Sequence, residues 1–272
     1  MDPKPIYDGH IHIFPGYWQQ RIYAWFKRAG WSVRNPDRME EEIWQDAKTS
    51  GVSAASILIY AHRPNIAREL NRWLYEWSQG RPELHLYGTV HPDDPDLESI
   101  AREALDRFQF AGFKIHCNVQ KVRPDDPRLD PLYRLVQERK RSLVVHVGTE
   151  PHQNSFVGVD FFRRLMEKYP ELRVQVAHLG AAEIDDFVAL LPRYPHLYLD
   201  TAAIPGTRLW VPQEKLEDII ACHPDRIIYG SDLPIVEEAL EVHRARVMSA
   251  CKTEAVVAQV FHQNVMRLWQ GD

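Results

Sequence analysis

The chain has 272 residues, of which 44% are hydrophobic, 26% charged and 11% aromatic, with no low-complexity tract; this excludes disordered and fibrous classes and permits a sizeable core. A net charge of -5 and a pI near 6.2, with Lys and Arg scattered along the chain, give no electrostatic ground for a nucleic-acid or membrane partner. A small polar or anionic molecule is the expected ligand. Cys117, Cys222 and Cys251 show no CxxC spacing, which predicts free thiols in a reducing compartment. The opening MDPKPIYDGH reaches a chemically loaded strand at once, and no apolar run approaches membrane-spanning length, so a cytoplasmic location is expected.

The first predicted strand lies in PIYDGHIHIF. It is followed by the longest insertion, Phe14 to Trp31 (FPGYWQQRIYAWFKRAGW), with seven aromatics in eighteen residues. Such a segment is expected to bury its rings against the body of the protein or against a second subunit, and a homodimer is compatible with it. Further predicted strands fall in SAASILIY, LHLYGTVHP, FAGFKIH, SLVVHVG, RVQVAHLG, HLYLDTAA and RIIYGSDLP. Between them lie segments with helical apolar spacing, such as Leu132, Leu135 and Val136, or Val159, Phe162, Leu165, Met166 and Tyr169. Eight strand-then-helix units predict an α/β fold, a (β/α)8 TIM barrel, as a single domain over residues 1–272. A doubly wound sheet is disfavoured because the first turn reads DGHIH rather than GxGxxG. No Pro, Gly or Ser-rich linker divides the chain.

In a parallel barrel, the C-terminal strand ends converge on one face. Six of the thirteen histidines fall at or near such ends (His10, His12, His91, His116, His146 and His178), and Asp232 ends the eighth strand. Alternation puts Asp8, His10 and His12 on one face, so that His10 and His12 can grip one ion. His146, His178 and Asp232 end very apolar strands, where burial without a partner is costly and a metal would satisfy them. A site of imidazoles and one carboxylate suits Zn²⁺ best and admits Mn²⁺, Fe²⁺ or Co²⁺; an open coordination position would activate water at neutral pH.

The ordered motifs DGHIH, GFKIH, VVHVG, VAHLG, GSDLP and the terminal FHQNVMRLW resemble the amidohydrolase superfamily over nearly the whole chain. The stretch from GFKIH through DDPRLDPLYRLV to LVVHVG is similar to the amidohydrolase-related branch that includes aminocarboxymuconate semialdehyde decarboxylase. The resemblance implies His10, His12, His146 and Asp232 as metal ligands, Asp232 also as proton shuttle, and His178 as a catalytic histidine that is itself a ligand in binuclear relatives. Lys114 resembles the lysine that bridges two metals in those relatives, but with His116 beside it a substrate-side or supporting place is expected, and one metal rather than two. Asp8 is expected either to orient a ligand histidine or to bond backbone at the barrel floor. His91, His62, Glu150 and His152 are weaker candidates on substrate loops, Cys117 reads as a packed thiol, and Asn264 as a structural feature.

The expected function is metal-dependent hydrolysis of a lactone, ester or amide of a small molecule. The rival is non-oxidative decarboxylation of an aromatic or unsaturated acid on the same metal face. It is disfavoured by a chain shorter than the decarboxylases of the branch, and by the lack of a strand-end arginine to grip a carboxylate. A TatD-like phosphoesterase or nuclease is disfavoured further, because FKIH holds no Glu to bridge two metals and no basic stripe faces phosphates. A non-catalytic binding barrel comes last.

Overall fold

The computed structural model describes residues 5–149, 154–204 and 211–271. Eight parallel strands form one sheet in sequence order: β1 (Ile6–His12), β2 (Val52–Leu58), β3 (Leu84–Gly88), β4 (Gly112–His116), β5 (Ser142–His146), β6 (Arg173–Val176), β7 (Leu197–Asp200) and β8 (Ile227–Ile228). The sheet closes on itself between β8 and β1. There Gly9 N–H donates to Tyr229 O, Asp232 N–H to His10 O and His12 N–H to Leu233 O. The predicted TIM barrel is the observed fold, built as a single domain.

The apolar spacing of the connecting segments produces amphipathic helices. In the helix Val159–Lys168, the buried residues are Val159, Phe162, Leu165 and Met166, which pack onto the sheet. The predicted irregular insertion after β1 instead contains a helix, Gly16–Arg28. Phe14, Tyr23 and Trp31 are buried as expected, whereas Tyr17 is 60% and Trp25 43% exposed. Inside the barrel, Leu58, Tyr87, Val144, Tyr198 and Ile228 form a second core. Val265, Leu268 and Trp269 of the helix Asn264–Gln270 join it from the N-terminal end of the strands. Trp269 donates its indole N–H to Ser56 Oγ and stacks on His85 with 3.6 Å between ring centres. Asn264 donates its side-chain amide to Pro224 O and Ile227 O, the structural role expected for it.

β6 and β8 stop before the polar residues that close their predicted segments. After Ile228 the backbone leaves β7 to bond with β1 and with Val260 O, and Asp232 takes a left-handed conformation (φ 70°). After Val176 the chain turns through four positive-φ residues, His178 (59°), Leu179 (51°), Gly180 (87°) and Ala181 (55°). The paired glycines of VVHVG and VAHLG make this turn possible. A Cβ on Gly148 would lie 2.5 Å from Gly180 O, and one on Gly180 would lie 2.1 Å from the Phe187 ring. Among the described residues, no helix is long and apolar enough to cross a membrane.

Candidate active site

Strand alternation carries Asp8, His10 and His12 to the barrel interior, all buried. His12, His116 and His146 are the last residues of β1, β4 and β5, His178 lies in the left-handed turn after β6, and Asp232 lies past β8. Their rings follow one another around the C-terminal opening. Centre-to-centre distances run 5.0 Å from His12 to His10, 5.3 Å to His178, 4.8 Å to His146 and 4.1 Å to His116, the last pair stacked. Tyr60 closes the circle, 4.9 Å from His116 and 5.4 Å from His12.

The hydrogen-bond partners fix the proton on four of the five rings, since a carbonyl or carboxylate oxygen can only accept. His10 Nδ1–H donates to Asp200 Oδ2 (2.8 Å) and His12 Nδ1–H to Leu58 O (3.0 Å). Both Nε2 atoms are therefore bare, and they face each other at 3.1 Å. Two lone pairs so placed repel unless a cation lies between or beside them. Lys114 Nζ donates to His10 Nε2 at 3.3 Å, and Asp232 Oδ1 lies 3.3 Å from His10 Nε2 and 3.6 Å from His12 Nε2. Donor atoms of His10, His12 and Asp232 all lie within 4.8 Å of one another, a group of two imidazoles and one carboxylate that could hold a metal ion.

His146 stands outside that group, and its ring is reached through His178. His178 Nδ1–H donates to Ala202 O (2.8 Å), so its Nε2 accepts from His146 Nδ1–H (3.1 Å). His146 Nε2 is then bare, buried and without a hydrogen-bond partner. An orphaned imidazole nitrogen in the same circle of histidines has the chemistry of a further metal donor. His116 Nδ1 is likewise buried without a partner, while its backbone N–H donates to Gln120 Oε1.

Burial sets the charges. It holds His10 down at about 3, aided by the Lys114 ammonium, and keeps His12, His116 and His146 well below the ordinary imidazole value. All are neutral at pH 7, the ligand form. Burial lowers Lys114 to about 8 against the pull of Asp200 and Asp232, and raises Asp232 well above the usual carboxylate range against the pull of Lys114.

A carboxylate that sequence reasoning passed over stands behind this group. Asp200, the last residue of β7, is fully buried; its Oδ2 accepts from His10 Nδ1–H and from Gln175 Nε2 (2.6 Å), and its Oδ1 from the backbone N–H of His178 (2.9 Å) and Ala202 (3.1 Å). Burial alone would raise its pKa, but His10 and the other donors outweigh burial and hold it below the ordinary range. The signal was present in HLYLDTAA, a polar group ending an apolar strand. Asp8 Oδ1 accepts from the backbone N–H of His10 (2.9 Å) and Ser231 (3.0 Å) rather than from an imidazole. Burial raises it to about 7.

His91 N–H donates to Asp94 and its Nδ1 accepts from Asp93 N–H, which makes it part of a loop. His62 is exposed against Trp18. Glu150 and His152 lie outside the described residues. Cys117 is buried and its thiol is pushed up by burial, in keeping with a packed residue. One surface groove of about 760 Å³ is lined by none of the five ring histidines; it lies beside Ile6, Gly51, Met248 and Phe261 at the N-terminal end of the barrel.

The amidohydrolase family model matches residues 7–271. No curated protein sequence matches the chain. Among solved structures, an uncharacterised TIM-barrel protein from Bordetella bronchiseptica superposes with a TM-score of 0.76 at 16% identity, covering 98% of this chain and 99% of that one. A 2,6-dihydroxybenzoate decarboxylase complexed with its substrate superposes with a TM-score of 0.72 at 17% identity, covering 99% and 100%. The 5-carboxyvanillate decarboxylase of Novosphingobium aromaticivorans, with bound manganese and a nitrobenzoic acid, gives 0.70 at 16% identity, covering 98% and 97%. With an eight-stranded barrel, a histidine ring at its C-terminal opening and a family match from the first strand to the last helix, this chain belongs to the amidohydrolase family of metal-dependent enzymes.

Proposed function

We propose that this enzyme hydrolyses a C–O or C–N bond of a small lactone, ester or amide with one divalent metal ion held by His10, His12, His146 and Asp232. The observation that carries the reading is the set of bare Nε2 atoms on three buried, neutral imidazoles beside a buried carboxylate. This donor set suits Zn²⁺ and also admits Mn²⁺, Fe²⁺ or Co²⁺. When bound, such an ion polarises a carbonyl and lowers the pKa of water.

The chain's own groups supply the rest. Asp232, the carboxylate beside the His10 and His12 nitrogens, accepts the proton of the attacking water. Lys114, whose ammonium stands 3.3 Å from His10 Nε2 and would yield that lone pair to the metal, balances negative charge as it develops. His178 was expected to act on the reacting group, but its Nε2 is engaged by His146 Nδ1–H; in this proposal it orients His146.

A second reading, decarboxylation of an aromatic or unsaturated acid, is favoured by one observation. Arg21 lies over Tyr17 and Arg63 over Trp18, next to His62 in the segments that follow β1 and β2. Both guanidiniums are exposed, and a substrate carboxylate is proposed to meet them there. The two solved decarboxylases are also spanned over 97–100% of their length, so size does not separate this chain from them. A panel of lactones, esters, amides and aromatic acids, assayed with added Zn²⁺ or Mn²⁺, decides between the readings. Hydrolysis predicts turnover of a lactone, ester or amide that is lost in Asp232→Asn. Release of CO₂ from an acid with no such turnover would overturn it.

A further inference from the structure

We infer that Asp200 is a positioning residue that sets the proton positions of the histidine ring: directly for His10, and through Ala202 and His178 for His146. The inference rests on the metal-site reading above and deepens it.

Asp200 reaches both arms of the ring. Its Oδ2 faces His10 Nδ1, and a carboxylate can only accept there, so the proton stays on Nδ1 and the Nε2 lone pair stays free. Its Oδ1 takes the N–H groups of His178 and Ala202 together. The first bond holds His178 in a left-handed conformation that costs a non-glycine residue about 1 kcal/mol. The second anchors Ala202, whose carbonyl accepts from His178 Nδ1–H. That acceptor makes His178 Nε2 a bare acceptor for His146 Nδ1–H, which leaves His146 Nε2 free. Gln175 clamps the carboxylate from below, donating to Asp200 Oδ2 and to Gly9 O (3.0 Å). One buried side chain thus determines which nitrogen two separate rings offer to a cation.

Asp200→Asn changes little in shape and reverses this logic. The amide oxygen must still serve the His178 and Ala202 N–H groups, so the NH₂ faces Gln175 and His10; the Gln175 amide turns its unpartnered Oε1 to accept one N–H, and the other donates to His10 Nδ1. The His10 proton then moves to Nε2, and the lone pair that meets the metal is lost.

The test has two arms. Zn²⁺ affinity, measured by chelator competition, is expected to fall 10- to 100-fold in Asp200→Asn, the range for partners that orient metal-bound histidines. Imidazole ¹⁵N spectra of the metal-free proteins are expected to show His10 protonated on Nδ1 in the wild type and on Nε2 in the variant. An unchanged affinity with an unchanged His10 tautomer overturns the inference. So does a wild-type His10 protonated on Nε2, an outcome that needs no variant to fold. If the wild type takes up no divalent metal, the metal reading falls, and the tautomer arm alone decides the role of Asp200.

Discussion

The two ends of the barrel are built from the same eight strands by opposite rules. At the N-terminal end, Trp269 fills the opening, its indole N–H is satisfied by Ser56, and its ring lies flat on His85. At the C-terminal end, imidazole nitrogens are buried without partners, two bare nitrogens face each other at 3.1 Å, and His178 and Asp232 adopt left-handed backbone conformations. Orphaned donors and left-handed non-glycine residues each cost on the order of 1 kcal/mol or more. Such costs persist where the surrounding structure holds them in place, and their concentration on one face separates the end that does chemistry from the end that holds the fold.

If that division is right, substitutions at the two ends should have separable effects. The largest is expected from His10→Ala. Divalent-metal affinity should drop on the order of 1,000-fold, beyond the loss from an orienting partner, while the metal-free protein melts within a few degrees of the wild type. Metal content after dialysis and thermal melts measure the two quantities; a collapse of metal-free stability would show that the ring also holds the barrel. Next comes Trp269→Ala, expected to cost about 3–4 kcal/mol in denaturant unfolding by leaving a cavity in the interior core, with Zn²⁺ affinity within a few-fold of wild type. A comparable loss of metal affinity would mean that the ends are mechanically coupled.

The smallest effect is on acid stability. Burial lowers His85 from 6.5 to about 4 in the fold. As the pH falls below 6.5, the unfolded chain binds a proton that the folded chain refuses. The stabilisation is thus complete above pH 6.5 and is lost progressively toward pH 4, by at most about 3 kcal/mol. His85→Phe keeps a flat ring on Trp269 and should flatten this acid limb between pH 6.5 and 4. An unchanged slope would assign the limb to the histidines of the other end.

Much of this was legible in the chain because it depends on period. Alternation in DGHIH put Asp8, His10 and His12 on one face, and apolar runs ended by polar residues marked five strand ends. What was not legible depends on who meets whom. Asp200 carried the same mark as His146, a polar group closing an apolar strand, but its value lies in four donors from β1, β6 and the turns beyond. Arg21 and Arg63 are unremarkable in sequence, since a guanidinium is informative only once its neighbours are known. The left-handed run at His178 has only Gly180 to announce it, and tertiary bonds to Asp200 and Ala202 impose the rest.

The bond from Ser231 N–H to Asp8 spans 223 residues, and the one from His10 to Asp200 spans 190. Contacts at such separation are late events in folding, because the loop they close must be ordered first. A chain that has paired only its early strands holds His10 and His12 with neither Asp200 behind them nor Asp232 in front. On the proposed ligand set, high-affinity metal capture is expected to wait for ring closure, so that the rate at which refolding protein withdraws Zn²⁺ from a fluorescent chelator would be a clock for the last step of barrel assembly.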